Sequence, residues 1–310
     1  MSKFAFLFPG QGSQSVGMMA GFGDHPVVHE TFVEASDILQ QDLWALVTDG
    51  PAEDLNKTVN TQPAMLAAGV AVYRAWREAG GAPPAMMAGH SLGEYSALTA
   101  AGALSFADAL PLVRFRAQAM QDSVAEGVGA MAAILGLDDD AVRGVCAEEA
   151  QGEVLEAVNF NSPGQVVIAG HRAAVERGIE LAKARGAKRA VPLPVSVPSH
   201  CTLMKPAGEA LARYLESVAI RAPATPVLQN ADVASFASAA EIKAALVRQL
   251  YSPVRWVETI QRMAREGVVQ AAECGPGKVL AGLNKRIVAD MKCVAVTDSA
   301  AIAALLSALK

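Results

Sequence analysis

At 310 residues, with 52% hydrophobic and 18% charged side chains, the chain can bury one large domain, or a large domain carrying a smaller insertion. That balance excludes intrinsic disorder, and a formal charge of −5 argues against general binding to nucleic acid or to an anionic membrane. The four scattered cysteines include no Cys-x-x-Cys pair, so neither a disulfide framework nor a zinc site is suggested, and no apolar run approaches a membrane span.

The apolar run at residues 4–8 reads as a buried first strand, too short for a secretory h-region and broken by Pro9-Gly10. A cytoplasmic location is the expectation. Helical spacing follows at 27–39, where His25 and His29 flank Pro26 as a helix-start pair rather than metal ligands. A second helix is expected at 62–79, stopped by Gly80-Gly81 and kept from resuming by Pro83-Pro84. Residues 85–88 read as a short buried strand, with helices at 94–101 and 106–124. Alternating strands and helices predict an α/β fold with a largely parallel sheet covered on both faces.

The rhythm then changes to strand 130–135, helix 139–150, strands 154–160 and 165–169, helix 172–185 and strand 188–195. That order is the split βαβ of a ferredoxin-like unit. A small βαββαβ domain is therefore expected at 126–197, inserted into a discontinuous large domain of residues 1–125 and 198–310. Beyond it, helices are expected at 204–215, 242–250 and 254–265, then a buried strand at 268–274 and a helix to about 289.

Gly89-His90-Ser91-Leu92-Gly93 lies between a buried strand and a helix, which is the context of a nucleophile elbow. Flanking glycines relieve Cβ clashes in so tight a turn, and the helix N-terminus favours a developing oxyanion. Ser91 is thus the expected nucleophile. Of five histidines, His200 is the best candidate base, because it stands where the chain re-enters the large domain and can overhang the sheet edge. His90 adjoins the serine and points away across the turn, while His171 reads as a helix-start residue. No acidic third member stands out: Asp138, Asp139 and Asp140 read as a helix cap, and a backbone carbonyl could orient the imidazole instead. Cys201 reads as a small buried hydrophobe. On the helix from Phe106, Arg116 falls within about 60° of Val113, at the margin of the apolar face. An arginine there meets an anion or forms an internal salt bridge, and its planar fork matches a carboxylate. Gly10-Gln11-Gly12 lacks the third glycine of a dinucleotide loop, and Gly275-Pro276-Gly277-Lys278 is no Walker loop; both read as turns at strand ends.

Several segments together resemble the malonyl-CoA:acyl carrier protein transacylases of type II fatty-acid synthesis. They are residues 8–14, Thr61-Gln62-Pro63-Ala64, Ala88 through Tyr95, Asn159 through Gln165, Val197-Pro198-Ser199-His200 and Gly275-Pro276-Gly277. The resemblance implies an α/β-hydrolase-like large domain and a ping-pong reaction. Ser91 would be malonylated by malonyl-CoA, His200 would act as base and then acid, and the Gln249 carbonyl would hold its ring. The amides of Gln11 and Leu92 would form the oxyanion hole, and Arg116 would clamp the malonyl carboxylate. It further implies transfer to the phosphopantetheine thiol of acyl carrier protein, no metal or other cofactor, and a monomer. An acidic carrier calls for basic docking residues, for which Lys183, Arg185, Lys188 and Arg189 at the end of the insertion's second helix, with Lys285-Arg286 elsewhere, are candidates, although a solvated helix face explains them as well. The rivals are a serine hydrolase, either a thioesterase or a patatin-like lipase with a serine–aspartate dyad, and a scaffold with an inert elbow.

Overall fold

Period-two alternation in the first strand sets the two faces of the main sheet. Phe4, Phe6 and Phe8 enter one hydrophobic cluster, and Ala5 and Leu7 enter another on the opposite face. The computed structural model describes residues 3–195 and 197–309. Its strands run β1 (Lys3–Phe8), β2 (Met86–Gly89), β3 (Gly129–Leu135), β4 (Leu155–Ser162), β5 (Gln165–His171), β6 (Arg189–Pro192), β7 (Val227–Leu228), β8 (Val268–Cys274) and β9 (Lys292–Val296). Five of them form a parallel sheet in the order β7-β2-β1-β8-β9. The other four form an antiparallel sheet, β4-β5-β3-β6, the strand order of a ferredoxin-like unit.

The aromatic face of β1 packs edge-on against Tyr73 and Trp76 of the helix Thr58–Glu78. The small-residue face meets Trp256, Ile260 and Met263 of the helix Trp256–Arg265. The sheet is thereby covered on both sides, as a parallel sheet requires. The second sheet packs its own core against the helices Asp139–Glu149 and Arg172–Ala184. It touches the first sheet's layer through the bridge between Asn159 and Val254, where Phe160 N–H donates to Val254 O at 3.0 Å and Val254 N–H to Val158 O at 2.8 Å. Among the described residues no helix is long and apolar enough to cross a membrane.

The structure departs from the sequence expectations in several places. The second long helix begins at Thr58 rather than 62 and carries Pro63 inside it; its first residues, Thr58-Val59-Asn60-Thr61, show no apolar helical period from which the start could be read. The strand expected at 188–195 is confined to Arg189–Pro192: after one further ladder bond, Leu193 N–H to Met131 O at 2.9 Å, the chain turns back on itself, Val195 N–H donating to Leu193 O at 2.9 Å. β7 is two residues long, too short for any periodicity to reveal. β9, the helix Ser299–Ala308 and the short helices Leu43–Thr48 and Ala52–Leu55 were not anticipated.

Trp76 is 1% exposed and donates its ring N–H to Ala82 O at 2.9 Å, at the end of β1 remote from Ser91. Trp76→Ala is expected to cost about 3–5 kcal/mol of stability in urea unfolding while leaving activity per folded molecule unchanged.

Candidate active site

The register Phe8↔Gly89 brings β1 and β2 to an end at the same level of the sheet. The chain then turns sharply: His90 N–H donates to Phe8 O at 2.9 Å, and Ser91 adopts φ +51°. Gly93 N–H reaches back to His90 O, and the helix Gly93–Ala100 begins. Both elbow glycines are steric necessities. A Cβ on Gly93 would lie 2.0 Å from Phe8 O, and one on Gly89 would lie 1.8 Å from the Gly93 carbonyl carbon. The serine is thus lifted off the carboxyl edge of the sheet by a turn that only this spacing of glycines permits.

His200 arrives from the other side, on the chain returning from the second sheet. It is 2% exposed, also sits at positive φ, +67°, and is tied down by its own N–H to Leu250 O at 3.1 Å. Its Nε2 lies 2.8 Å from Ser91 Oγ and its Nδ1 lies 2.8 Å from Gln249 O. A carbonyl oxygen can only accept, so the ring proton sits on Nδ1 and donates to Gln249. Nε2 is left with a lone pair facing the serine hydroxyl. Burial, and after it the Arg116 charge, push the imidazole down to about 3. Near neutral pH it is an uncharged acceptor.

Arg116 is 1% exposed, deeper than its expected place at the margin of the apolar face. Its acceptors are all neutral: Gln62 Oε1 at 2.8 Å, Gln249 Oε1 at 2.9 Å and Ser91 Oγ at 3.2 Å. The guanidinium also lies over the Tyr95 ring, 5.3 Å from its centroid. Burial lowers its pKa, yet a guanidinium stays charged in proteins. The nearby Glu94 is itself fully buried, which pushes its carboxyl up to about 8 and weakens it as a counter-ion near neutrality. A buried cation with neutral partners is costly, and an incoming anion relieves that cost.

The cleft above these groups has a volume of about 200 Å³. Gln11, Gln62 and Arg116 line it from the large sheet's side, and Asn159, Asn161 and Leu193 from the small sheet's side. Irregularities in the pairing of β4 set Asn159 and Asn161 toward the cleft while Phe160 packs into the small core. The amides of Gln11 and Leu92 donate to no protein acceptor among the described residues, and Leu92 stands at the N-terminus of the helix Gly93–Ala100. Gln249 does more than lend its carbonyl: its side-chain Nε2 donates to Ser91 O at 3.0 Å.

The remaining sequence candidates lie apart from this cluster. His90 turns away from Ser91 Oγ, donates to Asn161 Oδ1 at 2.8 Å and packs on Trp256. Asp138 caps the helix Asp139–Glu149, accepting from Ala141 N–H at 2.7 Å. Cys201 is buried, its thiol pushed up to about 12. His171 stays at a helix start, accepting from Val154 N–H at Nδ1. Among the described residues no group of three or more His, Cys, Asp or Glu is arranged to hold a metal ion.

Sequence reasoning gave no role to Gln62, Asn161, Glu94 or Asn230. Asn230 Oδ1 accepts from Ser91 N–H at 2.7 Å, its Nδ2 donates to Gly89 O at 2.7 Å, and its own N–H donates to Glu94 Oε2 at 2.6 Å. The only signal for it was the polar stretch Gln229-Asn230-Ala231-Asp232 directly after a short apolar run.

Residues 5–300 match the family model described as an acyl transferase domain. The malonyl CoA-acyl carrier protein transacylase of Haemophilus influenzae is 59% identical over 307 residues, covering 98% of each chain. The crystal structure of an acyl-carrier-protein S-malonyltransferase from Burkholderia pseudomallei superposes with a TM-score of 0.97 at 61% identity, covering 98% of this chain and 99% of that one. A malonyl-transacylase in complex with a holo type II PKS acyl-carrier protein gives a TM-score of 0.98 at 56% identity, over 99% of this chain and 100% of that one.

Because His200 is held neutral, labelling of Ser91 by a serine-directed fluorophosphonate is expected to persist as pH falls from about 8 to about 5. Labelling that fades with a midpoint near the ordinary histidine value would show that burial does not set the base.

Proposed function

The chain belongs to the acyl transferase family, among its malonyl CoA-acyl carrier protein transacylases, and from that membership we propose how its own residues carry the reaction. It transfers malonyl from malonyl-CoA to acyl carrier protein, supplying extender units for fatty-acid synthesis. The observation that carries the residue assignment is Ser91 Oγ, bonded at once to the lone pair of a neutral His200 and to a buried Arg116 whose protein acceptors are all neutral.

In this reading the thioester carbonyl sits over Ser91 with its oxygen toward the amides of Gln11 and Leu92. Oγ attacks the carbonyl carbon as its proton passes to His200 Nε2, and the imidazolium is held through Nδ1–H by Gln249 O. The tetrahedral intermediate collapses, the C–S bond breaks, and His200 returns the proton to the CoA sulfur. The phosphopantetheine thiol then enters, gives its proton to His200 and attacks the ester carbonyl; the bond from that carbon to Ser91 Oγ breaks, and His200 returns the proton to Oγ. The malonyl carboxylate pairs with Arg116. That pairing also offsets the positive charge that disfavours the imidazolium, so the base works better once the right acyl group is seated. Thioester-to-ester-to-thioester exchange calls on no cofactor, and CoA is a substrate.

The same proposal divides the chain into a large domain, residues 1–125 and 198–310, and a small one, residues 126–197; the two separate cores support it. It sets the protein in the cytoplasm as a monomer. Carrier docking is assigned to Lys188 and Arg189, both exposed, in preference to Lys183 and Arg185, which are already paired with Glu180 and Glu148. Arg286 is likewise engaged, with Gln165 and Pro163.

Intact-protein mass after mixing with malonyl-CoA is expected to show one malonyl adduct, absent from Ser91→Ala; an adduct on that variant would remove Ser91 as nucleophile. Arg116→Ala is expected to shift the malonyl-to-acetyl transfer ratio toward acetyl by roughly ten- to a hundredfold, the worth of a charge-assisted hydrogen bond. An unchanged ratio would take Arg116 out of the clamp. Charge reversal at Lys188 and Arg189 is expected to raise the KM for carrier protein and to leave that for malonyl-CoA alone.

A further inference from the structure

We infer that Asn230 is the positioning residue of the nucleophile, acting in place of a missing stretch of β-strand. β2 pairs with β7 only through Met87↔Val227 and Ala88↔Leu228, and β7 ends there. One residue further along β2 the ladder has no backbone left to offer. The elbow nevertheless presents two main-chain groups on that side, the Gly89 carbonyl and the Ser91 N–H. The Asn230 side chain answers both, accepting from Ser91 N–H and donating to Gly89 O. A carboxamide has one acceptor and one donor at the spacing of a peptide group, so it substitutes for the absent strand residue. The two partners also fix which end of the amide is which, since Ser91 N–H needs an acceptor and Gly89 O needs a donor.

Asn230 is itself immobilised. It is 1% exposed, its N–H is held by the Glu94 carboxyl from the helix that follows the elbow, and its C=O accepts from Arg255 N–H at 3.2 Å. The bond to Ser91 N–H has a second effect. It withdraws that amide from the reaction, leaving the amides of Leu92 and Gln11 to face the oxyanion. Asn230 touches neither Oγ nor the cleft, so it acts through the direction in which it holds Ser91.

This inference rests on the proposed role of Ser91, and the two fail differently. If Ser91 is not the nucleophile, Ser91→Ala still takes up malonyl. If only the present inference is wrong, Ser91→Ala is inert and the Asn230 variants acylate normally. The test is single-turnover acylation of Asn230→Ala and Asn230→Asp, with calorimetric binding of malonyl-CoA to the same variants in a Ser91→Ala background. Asn230→Ala removes both bonds; Asn230→Asp keeps the acceptor but sets a carboxylate oxygen against Gly89 O. Acylation is expected to fall roughly ten- to a hundredfold in both, the scale of a misaimed reacting group, with malonyl-CoA affinity within about threefold of the parent. Wild-type acylation rates in both variants would overturn it. So would a loss of affinity matching the loss of rate, or failure of both variants to fold, either of which would make Asn230 a general scaffold residue.

Discussion

A serine held at φ +51° is the constraint around which the large domain is arranged. A left-handed backbone at a residue bearing a Cβ costs on the order of 1–3 kcal/mol and persists only where its surroundings fix it. Here they do so from every side. The registers of β1 and β2 end together, two glycines admit the close approach of Phe8 and of the following helix, and the Gln249 amide takes the serine carbonyl. The same backbone that is strained is therefore hydrogen-bonded at both its N–H and its carbonyl. That pairing of strain with rigidity is what aims one hydroxyl among many.

Around the serine the electrostatics are arranged by burial rather than by counter-charges. His200 is neutral because water is excluded and a permanent cation lies close, and its ring needs only a carbonyl to choose its tautomer. Arg116 is surrounded by amide and hydroxyl oxygens. Gln249 joins these parts: its main-chain oxygen holds the base, its side-chain oxygen the cation, and its side-chain nitrogen the elbow. A network of neutral groups can hold the cation without saturating it, which an internal carboxylate could not.

The parts legible in the sequence were those with a pattern. Strand, elbow and helix around Ser91 follow from apolar runs interrupted by glycines, and the change of rhythm near residue 126 marked the second sheet. The order of its strands followed from the order of its elements. What escaped was short or non-local. β7 has two residues, and Asn230 gains its role only by lying beside an elbow 139 positions away in the chain. The depth of Arg116 could not be read from helix angle, because periodicity gives a direction and not the distance to solvent. Nor could the side chain of Gln249 be assigned, since its partners, Arg116 and Ser91, come from other elements.

The insertion of one sheet into another also sets the order of events at the ribosome. Ser91 leaves the tunnel early, but His200 follows the whole second sheet, and Gln249, whose carbonyl holds the His200 ring, comes about fifty residues later still. β1, the first strand made, lies between β2 and β8, so one of its edges waits for residues near 270. Until then a strongly apolar strand has an open side, a hazard for self-association in a nascent chain. The cleft is subject to the same delay: a partial chain holds Ser91 without His200 or Gln249, and the three meet only when the sheet closes.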